Sequence, residues 1–260
     1  MTVDWERLIV RAGDKVQATG KFVVRDDSAT MCAEVAVPLA GDLTACSANL
    51  LVPVVGIDAE GLVYGGVYQG KQYGWAKVIG TWADGRILVE QQFAPDPGED
   101  WPDPPGPGPA PVGGWQPGAL PSLDPLQDYL VSHAERFGQL RVGTVGVATG
   151  EISPMDLTQV AVVPVVGDLE SARAELAGVF SGNIAVVPAN RSILEWAMTL
   201  NALKDLMHDK ANGISSIGGG ADRPIEVSML LLSEELYRKL EVIGLELVHL
   251  RPSIIPVLVD

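Results

Sequence analysis

Between Ala94 and Pro125 the chain reads APDPGEDWPDPPGPGPAPVGGWQPGALPSLDP. Eleven of the protein's 19 prolines fall here, with six glycines and no Lys or Arg. Proline fixes φ and removes a hydrogen-bond donor, and it pushes the preceding residue towards extended geometry. Such a stretch neither propagates a helix nor pairs as a central strand. It therefore divides the 260 residues into a β-domain over 1–93, a linker over 94–124 and a second domain over 125–260. Each of the two domains is long enough to bury its own core.

Before the linker the hydrophobic period is two. Lys15–Arg25 and the run from Thr30 to Val37 read as paired strands, and the continuous apolar run Asn49–Ile57 reads as a buried strand with Pro53 at an edge. Leu62–Tyr68 is a further strand. Tyr73–Thr81 and Arg86–Phe93 form a hairpin whose turn contains Asp84-Gly85, a pair that supplies positive φ. Six short strands in this length predict a small all-β barrel or sandwich, OB-like or SH3-like in scale.

After the linker, helical periods alternate with strands. Asp124 caps a helix that opens on Pro125 and runs to Phe137, and Asn190 caps a long helix from Arg191 to Lys210. Residues 160–188 and 227–252 each read as strand, helix, strand. Two such βαβ-like units predict a mixed sheet with helices, and the whole chain is an α+β two-domain protein.

Charge narrows the partners. The net charge is −15, carried as −3, −5 and −7 by the three parts, with no basic run. Nucleic acid and anionic membrane surfaces are bound through clustered Lys and Arg, so neither is an expected partner. There is no secretory h-region and no uncharged apolar stretch of about 18–20 residues, so the chain is expected to be cytoplasmic. In that compartment Cys32 and Cys46 are expected to be free, buried thiols, with a disulfide as the alternative.

The candidate sites are few. Gly218, Gly219, Gly220 and Arg223 lie in a glycine-rich loop (211–223) that could cradle an anion, but its spacing fits neither a Walker loop nor a dinucleotide fingerprint. His133, His208 and His249 are scattered without ligand spacing, so no metal and no cofactor is expected. No nucleophile elbow is present. Trp101 and Trp115 sit in the linker, where a solvated spacer does not need them; they either pack on the chain itself or anchor a partner. Tyr73 and Trp75, with Tyr64, Tyr68 and Trp82, are expected on one aromatic face of the β-domain.

The N-terminal third resembles a small β domain of uncharacterised proteins from high-GC bacteria. The likeness rests on Met31-Cys32, Cys46, the run Leu51–Asp58, and Val78–Trp82 followed by Asp84–Val89. It implies a β domain and no activity. Mean hydropathy of +0.20 with few aromatics leaves apolar surface available for self-association. The reading reached from the residues is a non-catalytic protein-binding or self-assembling chain, its partner a second copy or another protein. The rival is a small-molecule sensor or enzyme with a pocket between the domains.

Overall fold

A computed structural model describes residues 4–25, 28–33, 46–95, 107–108, 110–111, 113–145, 158–220 and 223–257. The architecture is mixed α+β and mostly sheet, with a nine-stranded sheet, a three-stranded sheet and four α-helices among the described residues. The chain forms two compact units. The first comprises Met1–Glu99, Asn201–Gly218 and Ile225–Asp260; the second comprises Asp100–Leu200 and Gly219–Pro224.

The first unit is organised around β1 (Lys15–Arg25). One edge of β1 pairs along Lys15–Val24 with β5 (Lys71–Ala83). Its other edge is shared, with Val16–Ala18 pairing with β12 (Val248–Pro256) and Lys21–Arg25 with β2 (Ser28–Cys32). The changeover falls at Gly20, where a Cβ would lie 2.9 Å from both the Cys32 carbonyl oxygen and the Met31 Cε. From β2 the pairing passes to β3 (Leu51–Val55), then in parallel to β6 (Arg86–Phe93), then to β5, and so returns to β1. Val16, Ala18, Phe22, Met31, Val52, Val54, Ala76, Val78, Ile87 and Ile254 form the core of this ring. Phe22 is fully buried, and truncating such a ring to Ala costs about 3–5 kcal/mol.

The Asp84-Gly85 turn closes the β5–β6 hairpin with φ of 50° and 74°, as the residue types require. β3 differs from expectation: it is alternating rather than continuously buried, because Val52 and Val54 face the core while Pro53 and Val55 face out. Among the described residues β4 (Val63–Tyr68) pairs only with β5 and ends the nine-stranded sheet.

The expected C-terminal sheet is not one sheet. Its last three strands, β10 (Ile214–Gly218), β11 (Ile225–Leu231) and β12, join the N-terminal strands through β1. The physical cause is an open edge on β1 between Val16 and Ala18, which no N-terminal strand covers. β10 lies inside the stretch expected as a loop, and β12 runs on through Pro252 to Pro256. Helix α4 (Glu234–Ile243) links β11 to β12 in the crossover that parallel strands need. Ser233 caps it, its Oγ accepting from the Leu236 N–H at 3.1 Å, and Leu236 and Leu240 are buried.

The second unit holds β7 (Arg141–Val145), β8 (Thr158–Val165) and β9 (Ile184–Pro188), with β8 central. Ala161, Val163 and Val165 pack with Leu126 and Leu130 of α1 (Asp124–Ser132) and with Ala172 and Leu176 of α2 (Leu169–Val179). Val160, Val162 and Ala185 point to the other face, where Trp115 lies against them. α1 stops at Ser132, short of the expected Phe137, which bridges to Val165 instead.

Helix α3 (Ile193–His208) is capped by Ser192, not Asn190. The Ser192 Oγ accepts from the Glu195 N–H at 3.2 Å, and the Glu195 carboxylate accepts from the Ser192 N–H at 2.8 Å, a reciprocal capping box. No helix among the described residues is long and apolar enough to cross a membrane.

Candidate functional site

Two surfaces of the first unit stand out. The first is the β4–β5 hairpin, turned by Gln69 and Gly70 with φ of 50° and 75°. Alternation along β5 puts Tyr73 and Trp75 on the face away from the core. Tyr73 lies across from Val23 and Gly66, and Trp75 across from Lys21 and Val63. Trp82 falls on the opposite face and packs in the core, so it does not join the expected aromatic cluster; its odd separation from Tyr73 and Trp75 decides this. A bulge at Tyr64–Gly65 shifts the β4 register and holds Tyr64 at φ 55°. Tyr64 is 84% exposed and Val67 74% exposed, and β4 carries no charged residue.

The second surface is a concavity of about 390 Å³ on the sheet face away from the core. β1 contributes Gln17 and Thr19, which alternate with buried Val16 and Ala18. β10 contributes Ser216, which lies across from Ser228 of β11. Ser228 in turn lies across from Arg251 of β12. The Arg251 guanidinium donates to Glu226 Oε1 at 3.1 Å, and the Ser228 hydroxyl approaches the same oxygen at 3.5 Å. Ser253, Pro252 and Ile255 complete the lining. Sequence reasoning missed this groove, because β10 was not recognised and the meeting of β1 with β12 is non-local.

The other expected site residues are dispersed. Trp101 lies outside the described residues. Trp115 packs on the three-stranded sheet of its own unit. The linker around it is docked: Asn183 accepts from the Gln116 N–H at 2.9 Å and donates to the Gln116 carbonyl at 2.8 Å, and the Gly118 carbonyl accepts from the Gln159 N–H at 3.0 Å. Gly218 ends β10, while Gly219, Gly220 and Arg223 lead into a strand rather than a helix, so no helix N-terminus faces an anion there. Arg191 donates to the Arg223 carbonyl.

Cys32 and Cys46 form a disulfide with Cα atoms 6.0 Å apart, which overturns the expectation of free thiols. No group of three or more His, Cys, Asp and Glu placed to hold a metal occurs among the described residues. His133 stacks on Tyr129 at 4.3 Å, and His249 meets Trp5 edge-on at 5.5 Å.

Glu175 in the second unit is a highly connected polar group. Its oxygens accept from both terminal (η) nitrogens of Arg136, from the Tyr129 hydroxyl at 3.0 Å and from the Ser171 hydroxyl at 3.1 Å. Hydrogen bonding from Arg136, then Tyr129 and Ser171, holds its pKa below the ordinary carboxylate value. Desolvation, and then the hydrogen bond to Glu175, raise the Tyr129 pKa. With its acceptor sites engaged, Glu175 clamps α1 to α2 and is not poised to take a proton from a substrate.

In comparisons with known proteins, no family model, no curated protein and no solved structure matches the chain.

Proposed function

We propose that the chain is a non-catalytic association module that pairs with a second copy of itself along β4. The observation that carries the reading is the β4 edge, with Tyr64 and Val67 exposed and neither charge nor proline along the strand. Protein edges are ordinarily blunted by charge, proline or bulges; β4 has only the bulge at Tyr64–Gly65. Unpaired backbone groups on such an edge recruit a further strand.

The strand's sequence is Val-Tyr-Gly-Gly-Val-Tyr, apolar and uncharged. Cross-strand pairs of aromatic and β-branched side chains contribute ~0.2–1 kcal/mol each. The uncharged edge also keeps like charges apart in a chain of net charge −15. A six-residue strand pair falls short of a standard interface of about 1,600 Å², so the dimer forms at micromolar concentrations and above.

We also read the ring β1–β2–β3–β6–β5 as a small OB-like barrel. The pairing order and the parallel β3–β6 step support that reading. The Cys32–Cys46 disulfide favours an oxidising compartment over the cytoplasm expected from the sequence. Native mass spectrometry tests the association: the parent is expected as a mixture of monomer and dimer, and Val67→Lys as monomer. A parent that is wholly monomeric at micromolar concentrations contradicts the proposal.

A further inference from the structure

We propose that the groove formed by β1, β10, β11 and β12 binds a neutral, hydroxyl-rich ligand, a mono- or disaccharide. Its volume, about 390 Å³, falls in the range of small-ligand sites. The lining is polar and mostly unengaged. The side chains of Gln17, Thr19, Ser216 and Ser253 make no hydrogen bond to any described residue, so they stand ready for a ligand. An amide and three hydroxyls donate and accept in several directions, which matches hydroxyl groups better than a ligand that only accepts.

Charge selects further. Arg251 and Glu226 meet through a single contact of 3.1 Å. That leaves the other guanidinium N–H groups and Glu226 Oε2 available, donor and acceptor side by side. The two charges cancel, so the groove has no excess cation to hold a phosphate or carboxylate. The chain's net charge of −15 disfavours anions in general. Pro252 and Ile255 add apolar surface against which the C–H face of a sugar ring can lie. None of these residues belongs to β4, so the groove stands or falls independently of self-association.

The test is a ¹⁵N–¹H NMR titration of the full chain with glucose and N-acetylglucosamine, and separately with sodium acetate. The expected result is saturable shifts of the Ser216, Ser228, Arg251 and Ser253 amides with at least one sugar and none with acetate. Arg251→Met and Ser253→Ala, both on a solvent-facing side of β12, should keep the parent melting temperature. Arg251→Met should weaken the sugar about tenfold, as removal of a charge-assisted hydrogen bond does. No shift with either sugar overturns the proposal. So do shifts with acetate alone, which would mark an anion site, and sugar binding left intact in both variants.

Discussion

One guanidinium spans both oxygens of one carboxylate in the second unit: Arg136 donates to Glu175 Oε2 at 3.0 Å and to Oε1 at 3.3 Å. The pair ties the turn after α1 to α2. The folded-state pKa of Glu175 lies below its unfolded value, so its stabilisation is fully present above about pH 4.3, the unfolded value. It is lost as pH falls through the folded pKa. Glu175→Gln should therefore melt below the parent at pH 7, and the difference should shrink towards pH 3. An equal difference at both pH values would mean the contact does not depend on the carboxylate charge. On the alkaline side the raised Tyr129 pKa has the opposite sign: its contribution is present below the unfolded phenol value, about 10, and is lost above it.

Two glycines of the first unit are required for different reasons. Gly85 has φ +74° and open space where a Cβ would stand. Gly85→Val should cost about 1–2 kcal/mol of unfolding free energy through backbone strain alone, and Gly85→Asn much less. At Gly20 a Cβ would meet backbone and side chain of β2 at 2.9 Å, so Gly20→Ala should cost about 1–3 kcal/mol through overpacking. Urea denaturation measures both.

The disulfide joins residues 14 apart in sequence. A loop of about this size restricts the unfolded chain by about 3 kcal/mol. Cys46→Ser, or full reduction of the parent, should lower stability by an amount of that order. A reduced protein with the parent's denaturation midpoint would show that the bridge does not stabilise the first unit.

Limited proteolysis should spare residues 113–123, because Trp115 and the Gln116–Asn183 hydrogen bonds hold them on the three-stranded sheet. Trp115→Ala should open this stretch to chymotryptic cleavage after Leu123, since the Leu120-Pro121 bond is resistant. Cleavage there in the parent at the variant's rate would contradict the docking.

What was legible in the sequence is local. The β5–β6 hairpin follows from alternation around Asp84-Gly85, and the α4 cap from Ser233 ahead of an amphipathic run. The Ser192-Ile-Leu-Glu195 box is also legible, but Asn190 two residues earlier is an equally good N-cap type, and only the Glu at the third helical position separates them. β10 was obscured because Ile214-Ser-Ser-Ile217 offers two apolar residues amid glycines, and its strand character comes from its partner β11. Nothing local in β12 encodes its pairing with β1, which lies more than 230 residues earlier. The polar groove depends on that pairing and was hidden with it. The disulfide likewise joins two residues whose pairing no local pattern marks.

The central claim is self-pairing along β4, and sedimentation equilibrium over a concentration series tests it most directly. Three proteins are compared: the parent, Val67→Lys, and Val242→Lys as a control, since Val242 is 89% exposed on α4, away from β4. The parent and the Val242→Lys variant should rise from 27.5 kDa towards twice that mass in the micromolar range, while Val67→Lys stays at 27.5 kDa. A parent that remains at 27.5 kDa throughout, or a Val67→Lys variant that associates as the parent does, would contradict the account.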